Sequence, residues 1–232
     1  RMIIKAPAIL TKYYEDKDIP LIQQKLAEIR AKYGSILSLV SRVTVVPEDI
    51  IVSFIFIESR GDQNVESFIC NSSRPYECPV GLMQITAETA TGVIFFENKQ
   101  GRLLPEEKAI LGKYISQDKL NCIYSMQYFG HPVKCSKITL KSGNKVGQII
   151  EKKDLLNPEL NILIGAMLIG QLIDQHTEGG VPRMDKVVVR YNAGYFYKPQ
   201  GSTIEETVAL VPKESKNYIY KLLGKNGVLS LA

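Results

Sequence analysis

Hydrophobic residues recur at helical spacing over much of this chain, which predicts a mainly α protein. The first such segment begins at Asp18-Ile19-Pro20 and continues to about Lys32. Pro20 stands at an early position, where its missing N–H has no helical partner to lose. The apolar positions that share one face of this helix are Leu21, Ile22, Leu26 and Ile29. A second periodic segment, residues 36–45, predicts another helix.

A very apolar helix is predicted next. It begins at Pro47-Glu48-Asp49, with proline near the first turn and acidic residues where the helix dipole favours negative charge. Its interior, residues 50–57, reads Ile-Ile-Val-Ser-Phe-Ile-Phe-Ile, and Glu58 stands at its end. A glutamate is rarely placed against such a surface unless it is paired or functional. Glu58 is therefore the first candidate for a functional residue.

The rest of the chain contains further helical segments and one irregular region. The pattern predicts a helix start at Thr86 and helices over residues 106–115, 157–175, 184–191 and 216–223. Residues 121–150 are irregular or strand-like, with four glycines or prolines as breakers and alternation over residues 137–140. The predicted fold class is mainly α with a small β or irregular insertion.

Composition and charge limit the classes of function. The chain has 232 residues, of which 45% are hydrophobic, so one domain of generous size with a real core is expected. Its net charge of +5 favours an anionic partner, but the basic residues are scattered, which argues against nucleic acid. No segment is apolar enough to span a bilayer and no signal peptide is visible, so a soluble protein is expected. Arg60-Gly61-Asp62 spells a cell-adhesion tripeptide that is short enough to arise by chance.

Four cysteines form two close pairs in the sequence, Cys70 with Cys78 and Cys122 with Cys135. Four cysteines allow three connectivities, and the sequential pairing closes the two shortest loops. The spacings do not resemble a zinc ribbon, and we expect no metal site. The pattern favours two local disulfides in an oxidising compartment over four free thiols.

Two physical effects act on Glu58 in the same direction. Burial against Phe54, Ile55 and Ile57 raises the pKa of the carboxyl, and so does the negative end of the helix dipole. A carboxyl that is kept protonated in this way suits a general acid. A surface glutamate at a helix end is the alternative, and this stretch alone does not decide between the two.

Five motifs occur along the chain in a fixed order. They are Glu58-Ser59, Gly81-Leu82-Met83-Gln84, Asn161-Ile162 with Gly165, Tyr191-Asn192-Ala193-Gly194, and a late Tyr218. In this order they resemble the motifs of the soluble lytic transglycosylase family. Each motif is short, and the specificity comes from all five occurring in sequence between Pro47 and Leu223.

The resemblance implies a goose-type lysozyme-like α fold and an enzyme that cleaves the β-1,4 bond between N-acetylmuramic acid and N-acetylglucosamine. It implies that Glu58 is the single catalytic residue, first as acid and then as base. The muramic 6-hydroxyl attacks in place of water and leaves a 1,6-anhydro end, and no cofactor or metal takes part. The implied substrate-binding residues are Ser59, Met83, Gln84, Tyr191, Asn192 and Tyr218.

Physical properties give some of these residues specific expected roles. Met83 offers a flexible apolar surface to a sugar face, with core packing as the alternative. The amides of Gln84 and Asn192 suit an N-acetyl group and are expected to point into an open cleft. The hydroxyl of Tyr218 is expected within hydrogen-bond reach of Glu58, where it can orient the carboxyl.

The motifs also suggest a domain organisation. Residues 1–46 are predicted to form an N-terminal helical segment that packs on a catalytic domain, residues 47–232. An insertion at about residues 92–155 lengthens the connection between the second and third motifs and contains Cys122 and Cys135. The loop over residues 60–80 carries the other cysteine pair.

Two alternative functions remain. A lysozyme-like muramidase would hydrolyse the same bond with water and would need a second carboxylate, for which Asp62, Glu66 and Glu77 are candidates. A non-catalytic cell-wall-binding module would keep the fold without turnover. The expected partners are peptidoglycan glycan strands, in a periplasmic, extracellular or virion-associated setting, with a larger secretion, conjugation or virion assembly as a further possibility.

Overall fold

A computed structural model of the chain describes residues 9–67, 70, 75–131, 135 and 149–232. The described part is mainly helical, as predicted from the sequence. Its helices are α1 (Ile19–Thr44), α2 (Glu48–Ser59), α3 (Ala87–Lys99), α4 (Pro105–Tyr114), α5 (Gln117–Tyr124), α6 (Lys152–Leu155), α7 (Pro158–Gln175), α8 (Met184–Ala193), α9 (Ile204–Leu210), α10 (Lys213–Leu223) and α11 (Val228–Leu231).

Helix α1 is one continuous helix of 26 residues where the sequence predicted two segments. Its buried positions run through both segments without a change of face: Ile22, Leu26, Ile29, Tyr33, Leu37, Val40 and Val43. Gly34 lies between the segments, but a single glycine in a helix costs only about 1 kcal/mol relative to alanine, so packing overrides it. Leu21 was expected on the buried face and is instead 68% exposed.

Helix α2 begins and ends close to the predicted residues. Seven consecutive residues, from Ile50 to Phe56, are buried, which is why the segment is apolar on every side. The helix ends because Arg60 adopts a left-handed conformation with φ of 55°, and its N–H donates to the carbonyl of Phe56. Glu58 therefore stands in the last turn of a buried helix.

The chain divides into two compact units. Unit 1 comprises Arg1–Gly61 with Leu168–Ala232, and unit 2 comprises Asp62–Met167. In unit 1, α1 packs on α2, and α10 packs on α2, α8 and α11. In unit 2, α3 packs on α5 and on a short 3-10 helix at Pro75–Glu77. The domain boundary predicted at residue 47 and the insertion predicted at about residues 92–155 stay predictions.

A small antiparallel sheet follows the long helix α7. Strand β1 (Thr177–Glu178) pairs with β2 (Val181–Pro182) through Gly179 and Gly180, which both have positive φ. The strand-like segment predicted over residues 137–140 lies outside the described residues. The irregular region was predicted from residue 121, whereas α5 continues to Tyr124. Its buried Leu120, Cys122 and Ile123 hold it in helical form.

Two disulfides link the cysteines in the predicted sequential pairing, Cys70 with Cys78 and Cys122 with Cys135. All four cysteines are described and all are paired, so no thiolate is available as a zinc ligand. No helix of the described part of the chain is both long enough and apolar enough to cross a bilayer.

Candidate active site

Within the part of the chain that the structure describes, one side chain forms a hydrogen bond with the carboxyl of Glu58. The hydroxyl of Tyr218 donates a hydrogen bond to Glu58 Oε2 over 3.0 Å, across 160 residues of sequence. The hydrogen bond predicted between these two residues is therefore present. Glu58 as a whole residue is partly exposed, whereas its carboxyl group is buried in the protein.

The surroundings of Glu58 raise the pKa of its carboxyl from the ordinary 4.5 to about 8. Burial is the largest cause, because it disfavours the charged form. The Tyr218 hydrogen bond and the positive charge of Lys221 act in the opposite direction, while the negative charge of Glu214 raises the pKa further. At neutral pH the carboxyl is therefore mostly protonated and able to donate a proton.

Helix α10 carries Tyr218 on its buried face, together with Ser215, Ile219 and Leu222. Tyr218 is 4% exposed, and burial together with the nearby Glu58 charge raises the pKa of its hydroxyl well above the ordinary value. The hydroxyl therefore stays protonated and acts as a donor towards the carboxylate. It stabilises the charged form of Glu58, which is the form left after proton transfer.

Tyr191 completes an aromatic cluster around Glu58. Its ring lies edge-on to Phe54 with a centroid distance of 4.7 Å, and Phe54 lies 5.8 Å from the ring of Tyr218. Burial and the charge of Glu58 raise the pKa of the Tyr191 hydroxyl well above its ordinary value. Phe54 thus contacts both tyrosines, and the charge of Glu58 acts on the hydroxyls of both.

The side chain of Asn192 is held by hydrogen bonds to two residues of helix α10. Its Nδ2 donates to Glu214 Oε1 over 3.2 Å, and its Oδ1 accepts from the hydroxyl of Ser215 over 2.8 Å. An amide has two donor hydrogens and two acceptor lone pairs, so the bonds to the described residues leave one of each for a ligand. The predicted substrate contact of Asn192 stays a prediction, and the structure adds that its amide orientation is fixed.

Ser59 is used by the backbone at the end of α2. Its hydroxyl donates to the carbonyl of Ile55 over 3.1 Å and accepts from the N–H of Gly61 over 3.1 Å, and the residue is 6% exposed. These bonds fix the turn that follows Glu58. They give Ser59 a structural reason to be present, while its predicted contact with substrate stays a prediction.

In unit 2, the buried side chain of Asn161 holds the loop that contains Gly81-Leu82-Met83-Gln84. Its Oδ1 accepts from the N–H of Met83 over 2.8 Å, and its Nδ2 donates to the carbonyls of Val80 and Leu155. A Cβ on Gly81 would lie 2.4 Å from Asn161 Nδ2, and Gly81 has φ of +78°, so glycine is required there. The second and third motifs are therefore parts of one structural unit.

The structure corrects the expectation for Met83. The residue is completely buried, and a Cβ on Gly165 would lie 2.3 Å from its sulfur. Its side chain fills the space that Gly165 leaves on α7, so it offers no surface to a sugar. The apolar character of methionine serves core packing here, which was the alternative reading of this position.

Gln84 has the features of a binding residue in unit 2. It is only partly buried, and it adopts a left-handed conformation with φ of 50°, which is uncommon for a residue other than glycine. Its Nε2 donates to the carbonyls of Val65 and Gly81, while within the described residues its Oε1 accepts no hydrogen bond. A fixed amide thus presents one acceptor oxygen. That Gln84 and Glu58 line one cleft stays a prediction.

The three candidates for a second carboxylate are exposed residues of unit 2. Asp62 accepts from the N–H of Asn64, and Glu66 pairs with Lys152 over 3.1 Å. Glu66 also lies near Cys70 and Cys78, a grouping with the shape of a metal site, but both sulfurs are used in a disulfide.

Sequence reasoning did not identify the partners that position the site. The apolar pattern of α2 predicts Phe54 only as a core residue, yet its ring contacts the rings of Tyr191 and Tyr218. Ser215 and Glu214 were unassigned, although the i, i+3 spacing of Ser215 and Tyr218 places them on one face of α10. The sequence could supply that shared face but not the contact with Asn192, which is 23 residues away from Ser215.

Comparison with known proteins identified no relative of this chain. No family model matches the chain, and the searches of curated proteins and of solved structures found no match either.

Proposed function

We propose that this protein is a lytic transglycosylase that cleaves the MurNAc–GlcNAc β-1,4 bond of peptidoglycan and forms 1,6-anhydro-MurNAc ends. The observation that carries the proposal is the carboxyl of Glu58. Burial raises the pKa of this carboxyl to about 8, and a tyrosine hydroxyl lies 3.0 Å from it. A protonated, positioned carboxyl of this kind is what a single-acid glycosidase requires.

In the first step, Glu58 donates its proton to the glycosidic oxygen as the bond between that oxygen and C1 of the muramic sugar breaks. The resulting carboxylate is stabilised by the hydrogen bond from Tyr218. In the second step, the carboxylate accepts the proton of the muramic 6-hydroxyl as its oxygen bonds to C1. Glu58 is then protonated again, and no water is consumed.

The two motifs in unit 2 support recognition of the sugar in this proposal. Asn161 fixes the loop backbone, and the loop fixes the amide of Gln84 with its Oε1 available. A carbonyl oxygen in that position suits the N–H of an acetamido group. Asn192 supplies one donor and one acceptor from an amide held by α10.

The proposal includes a goose-type lysozyme-like fold and action outside the cytoplasm. The mainly helical structure is compatible with that fold. Two disulfides in a chain of this size are typical of proteins in an oxidising compartment, such as a periplasm, an extracellular medium or a virion. An enzyme in each of these settings can encounter peptidoglycan.

Glu58→Gln should abolish release of soluble muropeptides from purified sacculi, with a rate loss of at least ~10²-fold, because the amide keeps the shape but has no proton to donate. The products of the wild-type protein should carry 1,6-anhydro ends, which mass spectrometry distinguishes from hydrolysed ends by the mass of one water. Circular dichroism and thermal unfolding should show that the variant is folded.

Matched control variants are Asp62→Asn, Glu66→Gln and Glu77→Gln, which should all retain activity. Loss of activity in one of them together with hydrolysed product ends would instead indicate a muramidase that uses two carboxylates. Wild-type protein that binds sacculi without releasing any product would indicate a wall-binding module. Normal turnover by Glu58→Gln would refute the assignment of Glu58.

A further inference from the structure

The connection between α8 and α9 presents an exposed aromatic ring. We call residues 194–201, with the sequence Gly-Tyr-Phe-Tyr-Lys-Pro-Gln-Gly, the aromatic loop. Phe196 in this loop is 71% exposed, and its ring lies edge-on to that of Tyr195 at a centroid distance of 5.4 Å. The larger part of the Phe196 side chain is therefore exposed to solvent, while its ring also contacts Tyr195.

The start of the aromatic loop is tied to the helices before it. The guanidinium of Arg190 donates to the backbone carbonyl of Tyr195 and lies 5.0 Å from the centre of the Tyr195 ring. The Tyr195 hydroxyl donates to Gln171 Oε1 over 3.3 Å, and Gln171 is buried in α7. The N–H of Tyr197 donates to the carbonyl of Gly194 and closes the turn that contains Phe196. The ring is therefore carried on a turn with fixed ends.

The end of the aromatic loop is also fixed. The hydroxyl of Thr207, which is completely buried, donates to the carbonyl of Gln200 over 3.0 Å. Arg183 donates to the carbonyl of Ser202 and is itself held by two bonds to the buried carboxylate of Asp185. Gly201 has φ of +112°, and a Cβ there would lie 2.6 Å from the backbone N of Thr207, so the close approach requires glycine.

A loop that is anchored at both ends and carries an exposed phenylalanine is organised for contact, because an ordered loop pays little further conformational entropy on binding. We propose that Phe196 is a stacking platform for a sugar ring of the glycan strand, beyond the bond that is cleaved. This inference rests on the proposed function. It adds a substrate contact that none of the five motifs contains.

The position and size of the platform favour a glycan over a protein partner. Tyr191, beside Glu58, precedes Phe196 by five residues, so their Cα atoms lie no more than about 18 Å apart. A strand bound at Glu58 can therefore reach the ring. The flanking Lys198 and Gln200 are exposed and polar, and a single ring is far smaller than the ~800 Å² per partner that a stable protein interface buries. The flat apolar face of a pyranose matches one aromatic ring.

The test compares Phe196→Ala, Phe196→Tyr and Leu21→Ala. Leu21 lies on α1, is 68% exposed and has no place in the proposed site, so its variant controls for the loss of exposed apolar surface. Release of muropeptides is measured against the concentration of purified sacculi. In the Glu58→Gln background, binding to the same sacculi is measured by co-sedimentation, with cellulose as a control polymer.

Phe196→Ala should raise KM and the apparent Kd for sacculi about five- to tenfold with kcat little changed, whereas Phe196→Tyr and Leu21→Ala should behave as wild type. An active wild-type protein whose KM and Kd are unaffected by Phe196→Ala overturns the platform and leaves the proposed function standing. A wild-type protein that neither cleaves nor binds sacculi overturns both. An equal loss with Leu21→Ala would also overturn the platform, since the effect would then not belong to this ring.

Discussion

At the carboxyl of Glu58, neighbouring groups act in opposite directions. Burial favours the neutral acid, while the Tyr218 hydroxyl and the charge of Lys221 favour the carboxylate. Burial is the larger effect, and the pKa of about 8 is the result. In the proposed reaction Glu58 first gives and later takes a proton, and this balance suits both steps because neither form is strongly excluded at neutral pH.

The pKa of Glu58 has a consequence for stability that can be measured. The folded state holds a proton between pH ~4.5 and ~8 that the unfolded state has released, so the free energy of unfolding should fall as pH rises through this window. Glu58→Gln cannot ionise and should lose this dependence. The difference between the two proteins, measured by urea unfolding at several pH values, should change by on the order of 2–4 kcal/mol between pH 5 and pH 8.

Other groups also change the stability with pH; burial raises the pKa of Glu107, for example, to about 7. Their contributions cancel when the free energies of unfolding of the two proteins are compared at each pH. Tyr218→Phe is the informative third variant. It removes a bond that lowers the pKa of Glu58, so its stability should keep falling to a higher pH than that of the wild type. A constant difference between wild type and Glu58→Gln from pH 5 to pH 8 would contradict the raised pKa.

The sequence predicted some residues of the candidate site better than others. The apolar stretch drew attention to Glu58, but the family resemblance decided for it and singled out Tyr218, and the need of a buried acid for a polar partner agrees with that choice. The burial of Met83 could not be predicted, because methionine suits a core and a sugar surface equally well. The contacts of Asn192 with Glu214 and Ser215 depend on how α8 meets α10, which local patterns do not encode.

Among the structural elements, α7 and the loop at residues 81–84 show why two motifs occur together. Asn161 and Gly165 stand one helical turn apart on α7. Asn161 binds the backbone of Met83 in the loop, of Val80 just before it and of Leu155 in α6, and Gly165 gives the Met83 side chain its space. The two motifs therefore need each other to place the Gln84 amide, whatever ligand that amide binds.

Gly165→Ala should destabilise the protein by about 1–3 kcal/mol, because the new methyl would overlap the sulfur and Cβ of Met83 inside a packed core. Gly112→Ala is the matched control. Gly112 lies in α4, is exposed and has nothing within 4 Å of the added Cβ, so this variant should be neutral or more stable by up to ~1 kcal/mol. Urea unfolding measures both.

A double variant tests whether Met83 is the cause. In a Met83→Ala background, which has its own cavity cost, Gly165→Ala should destabilise the protein less than it does in the wild type. Equal effects in both backgrounds would show that the cost of Gly165→Ala comes from elsewhere on α7.

The helices were predicted best where residues at their ends mark where they begin. The bounds of α2 and α7 agree with the sequence patterns because proline and acidic residues mark their starts and apolar residues fill their interiors. Helices α9 and α11 were missed, since seven and four residues give too few turns for a periodic pattern. The left-handed conformations of Arg60 and Gln84 were not foreseen either, because neither residue type signals a positive φ.

For the whole molecule, the two disulfides make a direct prediction. Protein purified without reductant and then unfolded should show no titratable thiols, and peptide mapping should recover the Cys70–Cys78 and Cys122–Cys135 links. Reduction should lower the free energy of unfolding by roughly 2–3 kcal/mol for each bridge, because loops of 8 and 13 residues are then no longer closed in the unfolded chain.

A Cys70→Ser, Cys78→Ser double variant separates the contribution of one bridge from that of the other. It should retain the second link and lose stability by about half of what full reduction removes. Recovery of four thiols from protein isolated without reductant would contradict both links and the expectation of an oxidising compartment.

The division of unit 1 into two stretches of sequence has a consequence during synthesis. Glu58 precedes Tyr218 by 160 residues, so at ~5–20 residues per second the ribosome makes α2 roughly ten seconds or more before α10. Helix α1 is already available to cover part of α2, but α10 and α11, which also pack on it, are not. The most apolar helix of the nascent chain therefore waits for its last partners, and we expect chaperones to bind there and aggregation to begin there when the chain is truncated before α10.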